Sequence, residues 1–493
     1  MRTLKSAFPA TVAALAGAAL LARGIAGPNP LVRNPLGAEI TLALAVITGL
    51  LLWRCRTETA AARPSNWIAP AGIAVAAVIA FLPVLSMPLV TDDYIHLRQI
   101  ADGEAPTAAG CLTHSCGGPQ FYRPLGFSTY WAEWELWGTA AFPRHAADVG
   151  LHAICCVLFL VLVRRLGIGS PYDWLAGLIF AWNSIRPEAV AWTAARFDTL
   201  ALLFSLVAAV SALRLDRIGA AVTMLATAAA CLSKESAYVL PLLIAILLGR
   251  RALAGAGRAT VIASFGTAVA LFAWRWVVLK GVGGYVAPDG ASPSALYLNP
   301  LVFVKTFFAR IWGILWFPLN WSRPFEWWMA AGLAAGIAAS LLLLRARPDR
   351  GRVVLCLAGV AVAALPVHHM LLIDPSLERS RYLDLATPAF TLLVAFAGMA
   401  LPRRLGIGTL SLFAVFHLAG LQHNLRIWSD VSRARYQLCR EVADQVRDSG
   451  APVTLTNVPL AKDGVYWRNG IEDCANLEFN IPMGRVRVNP PGS

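Results

Sequence analysis

Charged side chains are scarce in this chain of 493 residues, of which only 14% are Asp, Glu, Lys or Arg. Soluble domains carry about 25% charged residues, so an ordinary water-facing surface is excluded. Acidic residues are the rarer sign, 28 against 42 basic residues, and the formal net charge is +14. The hydrophobic share of 57% excludes an intrinsically disordered chain and a disulfide-stapled mini-fold. The remaining class is a multi-pass membrane protein.

Apolar runs long enough to cross a bilayer recur along nearly the whole chain. They predict an all-α bundle of about 13 transmembrane helices. The runs are 8–22, 36–53, 67–90, 147–163, 172–190, 197–213, 218–233, 236–249, 259–279, 325–344, 353–373, 383–401 and 405–421. A further apolar segment, 299–320, breaks the alternation of charged loops if it spans. We therefore expect it to be re-entrant or to lie at the membrane interface.

Basic residues fall on every second loop between these runs. Examples are Arg54 and Arg56, Arg164 and Arg165, and Arg403. Because short cytoplasmic loops are rich in Lys and Arg, we expect a cytoplasmic N-terminus and an external C-terminus. The positive charge is thus a topology signal, and no nucleic-acid partner is expected.

The pattern divides the chain into three parts. Residues 1–66 form a predicted helical hairpin, whose first span has features of a signal peptide. Residues 67–421 form the main membrane module, with an external loop at 91–146. Residues 422–493 are predicted to be a small external α/β region, because they contain Pro, Gly and short β-type runs.

Two cysteine pairs lie in the predicted external parts. Cys111 and Cys116 share the first external loop, and Cys439 and Cys474 lie in the C-terminal region. Both pairs fit disulfides in an oxidising compartment. Free thiols are the alternative.

Polar residues gather at the external ends of the spans, where their burial near lipid is costly and suggests function. They are Asp92, Asp93, Tyr122, Arg123, Glu188, Arg196, Lys234, Glu235, Arg379, Arg381 and Tyr382. Cations suit a phosphate, and a carboxylate can remove the proton of an attacking hydroxyl. A polyprenyl-phosphate sugar would place its phosphate at this surface and its tail in lipid. The pattern therefore predicts glycosyl transfer with displacement of the lipid phosphate.

These residues also resemble motifs of the GT-C superfamily of membrane glycosyltransferases, and especially the bacterial relatives of the transmembrane and tetratricopeptide-repeat O-mannosyltransferases. The matching elements are Asp92-Asp93, Tyr122-Arg123-Pro124-Leu125, Arg186-Pro187-Glu188-Ala189-Val190-Ala191-Trp192 with Arg196, Leu232-Ser233-Lys234-Glu235 and Ser380-Arg381-Tyr382-Leu383. Arg186 stands where the family has His, and no tetratricopeptide repeats follow. The resemblance implies a GT-C-like bundle over roughly residues 67–400.

The resemblance also implies roles for individual residues. Asp92 is the expected general base, with Asp93 as the second candidate, and Glu188 is expected to position the acceptor or a metal. The donor phosphate would be bound by Arg196, Lys234, Arg379 and Arg381. Loop-positioning roles fall to Tyr122, Arg123, Glu235 and Tyr382. The resemblance leaves open a divalent cation, Mg²⁺ or Mn²⁺, as cofactor.

The implied protein is an inverting glycosyltransferase of the bacterial inner membrane, with its active site and C-terminus in the periplasm. Its partners would be membrane lipids, a polyprenyl-phosphate sugar and a periplasmic acceptor, which could be a protein Ser or Thr, a glycan or a lipid. One alternative is a polysaccharide polymerase or ligase with a polyprenyl-diphosphate donor. Another is a transporter or flippase of lipid-linked sugar, but the polar residues lie at one membrane face and not at the midplane typical of transporters.

Overall fold

A computed structural model describes residues 68–118, 120–286, 297–371 and 375–490. The predicted N-terminal hairpin, residues 1–66, lies outside the described residues. Eight described helical segments are long and apolar enough to cross a membrane, and three apolar helices are shorter. The chain is therefore a multi-pass, helical membrane protein, as the sequence predicts.

The helices are numbered here along the described chain. Their bounds are α1 Ile68–Ala80, α2 Asp92–Ala101, α3 Pro124–Trp137, α4 Ala141–Arg165, α5 Tyr172–Ala181, α6 Pro187–Ala191, α7 Arg196–Ala212, α8 Arg217–Ser233, α9 Leu240–Leu248, α10 Gly255–Leu279, α11 Pro300–Thr306, α12 Trp312–Trp316, α13 Trp327–Arg345, α14 Arg350–Ala364, α15 Thr387–Ala400, α16 Arg403–Ser449 and α17 Ile471–Phe479. Short 3₁₀ helices at Glu235–Val239, Leu365–Met370 and Ser380–Ala386 lead into or out of spans.

Each predicted span within the described residues is helical over at least part of its length, but the run at 172–190 is not one helix, because residues 182–186 separate α5 from α6. The run at 67–90 is helical only over Ile68–Ala80, after which Pro83 lies in a 3₁₀ turn at Leu82–Ser86. The segment 299–320 contains α11 and α12, joined by a π-helical turn at Phe307–Ile311. Its interfacial or re-entrant placement stays a prediction.

Loops predicted to share the cytoplasmic side lie together in the bundle. Arg165 donates a hydrogen bond to the carbonyl of Val210 at 2.7 Å, and Arg164 pairs with Asp173 at 2.8 Å. Residue Gly406 approaches the carbonyl of Gly398 so closely that a Cβ there would lie 2.1 Å from that oxygen. The turn after α4 therefore contacts the end of α7, and Tyr172 at the start of α5 reaches the turn before α16 through the Arg403 carbonyl at 3.5 Å.

The last long helix, α16, continues past the predicted boundary at residue 422. The run at 405–421 is only the first part of α16, which continues for 47 residues to Ser449. At 1.5 Å per residue this helix is about 70 Å long, more than twice the bilayer core of about 30 Å. Residues 422–449 are therefore helical and the short strands follow them, while the division of the chain at residue 422 stays a prediction.

The small region after α16 holds four short strands. Strand β1, Val453–Leu455, pairs in parallel with β4, Val486–Val488. Strand β2, Ala461–Lys462, pairs antiparallel with β3, Val465–Tyr466. Arg98 of α2 forms an ion pair of 2.6 Å with Asp473 of α17. The C-terminal region thus packs directly on the helix that begins with the acidic pair.

Candidate active site

A cavity of ≈ 400 Å³ opens where the helix ends predicted to be external meet the C-terminal region. Its walls come from chain segments that are far apart in sequence. They are formed by Asp92, Trp192, Tyr285, Val286, His369, Met370, Arg379, Arg381, Tyr382, Leu460, Tyr466 and Asn469. Asp92, Arg379, Arg381 and Tyr382 were predicted site residues, and the fold brings these four to one cavity.

Asp92 is the acidic side chain among the cavity residues, and it begins α2. The preceding residue, Thr91, is fully buried and has a φ of +42°. A β-branched residue rarely adopts a positive φ, and such strain occurs where the surrounding structure fixes a functional turn. A Cβ on Gly470 would lie 2.4 Å from the Thr91 carbonyl oxygen, so the C-terminal region is in close contact with this turn. This contact therefore helps to fix the position of Asp92.

Asp93 points into the protein. Its Oδ1 accepts hydrogen bonds from the Tyr130 hydroxyl at 2.9 Å and from the Ala194 amide at 2.7 Å. Its Oδ2 accepts one from the Val90 amide at 3.0 Å. Complete burial raises the pKa of Asp93 to about 7. Asp93 thus ties the start of α2 to the turn before α7, and its three hydrogen bonds favour a positioning role over that of a general base.

We expect Asp93→Asn to lower stability and change its pH dependence. In the variant an N–H₂ group replaces the oxygen that accepts from the Val90 N–H, and an N–H₂ group cannot accept a hydrogen bond. A buried donor left without an acceptor costs about 1–3 kcal/mol. The pKa of Asp93 is higher in the folded than in the unfolded protein, so the folded wild type keeps the Asp93 proton up to a higher pH. Its stability should therefore fall as pH rises from about 4 to 7. Thermal unfolding in detergent at pH 4 to 8 checks this, and an unchanged slope in the variant would contradict it.

Glu188 is also an anchoring carboxylate. Its Oε2 accepts hydrogen bonds from the Ser380 hydroxyl at 3.1 Å and the Arg381 amide at 3.0 Å. Its Oε1 accepts from the Arg379 amide at 3.2 Å and forms an ion pair with the Arg381 guanidinium. With only 1% of Glu188 exposed, this carboxylate fixes the segment that carries both cavity arginines, and its role toward an acceptor or a metal stays a prediction.

The two cavity arginines, Arg379 and Arg381, differ in the exposed fraction of their side chains. Arg381 is buried, donates to the Tyr382 hydroxyl at 3.0 Å and lies 3.7 Å from Asp198. Three of its five N–H donors are thus directed at protein groups. Arg379 also has protein partners, which are Glu378 at 3.4 Å, the Met370 carbonyl at 3.1 Å and Tyr466, but 28% of its side chain is exposed. Both face the cavity, so together they can meet a phosphate, with Arg379 the more accessible.

Lys234 lines a small neighbouring cavity that shares Tyr285, Met370 and Tyr382 with the first one. Its ammonium is 3.1 Å from Asp198 Oδ2, the same oxygen that faces Arg381. It also lies 5.4 Å from the centre of the Tyr382 ring. Lys234 is therefore neutralised by Asp198 next to the larger cavity, and its contact with a phosphate stays a prediction.

The predicted loop-positioning residues are in contact with one another or with neighbouring spans. Arg123 forms a two-point pair with Glu235, at 2.9 and 2.5 Å. The Tyr122 hydroxyl donates to the Leu112 carbonyl at 3.0 Å and accepts from Trp274 at 3.1 Å. These contacts fasten the first external loop to the ends of α8 and α10.

Arg196 lies outside the cavity. It pairs with Asp148 and Glu133, at 2.5 Å each, and only 1% of the residue is exposed. Arg144 pairs with the same Glu133 at 2.8 Å. The two acids come from α3 and α4 and neutralise Arg196 inside the protein. Its predicted role in phosphate binding is therefore corrected to a structural one.

The four external cysteines are free and buried. Cys111 lies next to Cys116, and Cys439 lies next to Cys474. Both predicted pairs are therefore neighbours in the fold, and their disulfides stay a prediction.

Among the described residues, no three His, Cys, Asp or Glu side chains form a group that could hold a metal ion. Asp93 and Glu188 turn to backbone and side-chain donors, so they do not join Asp92 as ligands. A divalent cation, Mg²⁺ or Mn²⁺, stays a prediction, for which Asp92 and His369 are the cavity side chains of ligand type.

Three cavity residues from the C-terminal region, Leu460, Tyr466 and Asn469, were missed by the sequence analysis. A sequence signal for part of this region was available. Asp463 and Gly464 have φ values of +52° and +82°, which two-residue hairpin turns require and which an Asp-Gly pair favours. The Asp-Gly pair thus marks the hairpin that carries Tyr466, although nothing local indicates where that hairpin docks.

Comparison with known proteins finds relatives of one kind. The chain is 36% identical over 95 residues to the protein O-mannosyl-transferase TMTC2 of Mus musculus, a match that covers 19% of this chain and 11% of that protein. The TMTC2 of Homo sapiens matches with the same identity and coverage. Protein O-mannosyl-transferase F38B6.6 of Caenorhabditis elegans is 23% identical over 183 residues, covering 34% of this chain and 26% of that protein.

The resemblance predicted from the motifs is confirmed. The matches span about a tenth to a quarter of these relatives' own length, and no family model matches the chain.

Two solved structures of ArnT from Cupriavidus metallidurans are also similar. The apo structure has a TM-score of 0.48, with 84% of each chain covered. The structure bound to undecaprenyl phosphate has a TM-score of 0.45, with 87% of this chain and 90% of that chain covered. Sequence identity is 13% in both, so the likeness concerns the fold alone.

Proposed function

We propose that the protein is a membrane glycosyltransferase that moves a sugar from a polyprenyl-phosphate carrier to an acceptor hydroxyl. The observation that carries the proposal is the cavity itself, whose wall contains one carboxylate, Asp92, and two arginines, Arg379 and Arg381. The partial similarity to O-mannosyl-transferases supports the same reaction class. We further propose the bacterial inner membrane as its location, with the cavity on the periplasmic side.

A groove beside the cavity suits the lipid part of such a donor. It has a volume of ≈ 240 Å³ and is lined almost entirely by apolar side chains of α4, α7, α9, α14 and α15. Leu385 lines it and belongs to the same 3₁₀ segment as Arg381. Leu385 follows Arg381 by four residues, which at a rise of about 2 Å per residue puts the two backbone positions roughly 8 Å apart. Cationic and apolar surfaces therefore adjoin, as a phosphate with a prenyl tail requires.

In the proposed reaction the acceptor oxygen attacks the anomeric carbon of the sugar. Asp92 takes the proton of the attacking hydroxyl, and the bond between the anomeric carbon and the phosphate oxygen breaks. The bonding pair leaves with the polyprenyl phosphate, whose charge becomes more negative by one. Arg379 and Arg381 stabilise that developing charge. A single displacement of this kind inverts the anomeric configuration.

The proposal is tested with purified protein in proteoliposomes, using polyprenyl-monophosphate and polyprenyl-diphosphate sugars labelled in the sugar. A periplasmic envelope extract supplies protein, glycan and lipid acceptors. We expect a glycosidic product from the monophosphate donor. Product only from the diphosphate donor would indicate a polymerase or ligase, and movement of labelled lipid across the bilayer without product would indicate a flippase.

The groove makes a separate prediction. Ala389 lines it on α15, and Ala389→Phe should block part of the space for the tail. We expect the KM for the lipid-linked donor to rise about tenfold with little change in kcat, because tail contacts are equal in the ground and transition states. Ala270→Phe on the exposed face of α10 adds the same ring at a position outside the groove. Equal KM values for the two variants would show that the tail binds elsewhere.

A further inference from the structure

The cavity contains an aromatic pair that the proposed chemistry does not use. The rings of Trp192 and Tyr466 lie 5.0 Å apart, inclined by 40°. The Arg381 guanidinium lies 4.6 Å from the Trp192 ring centre and 5.6 Å from that of Tyr466. An aromatic surface next to the phosphate-facing cations would meet whatever is attached to the phosphate.

Trp192 also offers an unused hydrogen-bond donor. It is only 4% exposed, and its indole Nε1 is buried without a hydrogen-bond partner. A buried indole N–H normally finds a partner, so this donor is available to a polar ligand in the cavity. Asn469 adds a side-chain amide to the same wall. An apolar ring face with nearby polar groups matches a sugar, which presents C–H bonds on its faces and hydroxyls at its edge.

Tyr466 is held in this wall by an arrangement that fixes its hairpin firmly. Arg323 forms an ion pair of 2.8 Å with Asp463, and Asn320 donates to the Asp463 carbonyl at 2.7 Å. Arg435 donates to the carbonyls of Trp467 and Asn469, at 3.1 and 2.7 Å. Contacts on both sides of Tyr466 therefore fasten the hairpin to the membrane part, and the ring is preorganised for a ligand.

We propose that Trp192, Tyr466 and Asn469 bind the sugar ring of the donor, which makes the hairpin Ala461–Tyr466 the element that selects the sugar. This rests on the proposed glycosyl transfer, because the cavity must hold a sugar next to the phosphate. The C-terminal region then contributes directly to substrate binding.

The test compares binding of two lipids, polyprenyl phosphate and the same lipid carrying its sugar, to the purified full chain in detergent. Wild type should bind the sugar-bearing lipid more tightly. Tyr466→Ala should reduce that preference about tenfold, while Tyr466→Phe, which keeps the ring, should retain it within about twofold. Tyr466 is also a hydrogen-bond partner of Arg379, so the Phe variant separates loss of the hydroxyl from loss of the ring. Tyr436→Ala, on α16 against Phe479, is the control for a lost tyrosine ring in the same region.

The outcomes separate this inference from the proposed function. If wild type transfers sugar and prefers the sugar-bearing lipid, but Tyr466→Ala keeps the full preference, the aromatic site is wrong and the function stands. Equal losses in the Phe and Ala variants would also overturn it, because the ring would not be the binding element. If wild type neither transfers sugar nor distinguishes the two lipids, the proposed function fails first.

Discussion

Replacement of Asp92 by asparagine should lower kcat for sugar transfer by at least about 100-fold. A positioned general base contributes roughly 10²–10⁴ to a rate, and Asp92 is the acid among the described side chains of the cavity wall. The amide keeps the size of the side chain but cannot take up the proton of the attacking hydroxyl. Steady-state kinetics with a polyprenyl-phosphate sugar measure the effect, with donor binding measured separately.

The matched control is Asp448→Asn, near the exposed end of α16. Both variants should elute and unfold like wild type, and only Asp92→Asn should lose activity while binding the donor normally. Turnover by Asp92→Asn within threefold of wild type would remove Asp92 from the mechanism. Asp93 would not be the substitute of first choice, since its three hydrogen bonds hold it inside the protein.

Replacement of Arg379 by glutamine should lower kcat/KM by about 10- to 100-fold. A hydrogen bond to a charged group is worth about 1.5–3 kcal/mol, and each 1.4 kcal/mol corresponds to tenfold. Because the phosphate gains negative charge as the sugar leaves, Arg379 should stabilise the transition state more than the ground state. We therefore expect kcat to fall as well as KM to rise.

Arg379→Lys should recover part of the loss, since it keeps the charge but not the planar two-point contact. Arg404→Gln, which removes an exposed arginine just inside the first turn of α16, is the control for the loss of one positive charge. The Gln variants at 379 and 404 are expected to differ by at least about tenfold. A rise in KM without any fall in kcat would confine Arg379 to ground-state binding.

The arrangement of the spans could be predicted because apolar runs and Arg-rich turns are local signals. Each described run is helical over at least part of its length. The motif residues Asp92, Arg379, Arg381 and Tyr382 line one cavity. Arg186, a departure from the family pattern, pairs with Asp384 at 3.0 Å in the buried core. This long-range compensation is invisible without the fold.

The roles within the site were harder to predict, for reasons that are geometric. Asp92 and Asp93 start the same helix, where successive side chains point about 100° apart, so only one of them reaches the cavity. Arg196 is a predicted phosphate ligand, but in the fold it pairs with Glu133 of α3 and Asp148 of α4. Tyr466 depends on the docking of a hairpin that follows a helix of 47 residues. Such contacts join distant segments and leave no periodic signal.

The most direct test of the central claim is a single-turnover reaction with a polyprenyl-phosphate sugar labelled separately in the lipid and in the sugar. Wild type and Asp92→Asn would be compared with an envelope acceptor extract. We predict that wild type releases one polyprenyl phosphate for each glycosidic bond formed, and that Asp92→Asn binds the donor but releases neither product. Equal turnover by both proteins, or a folded wild type that binds the donor and forms no glycosidic bond, would contradict the account.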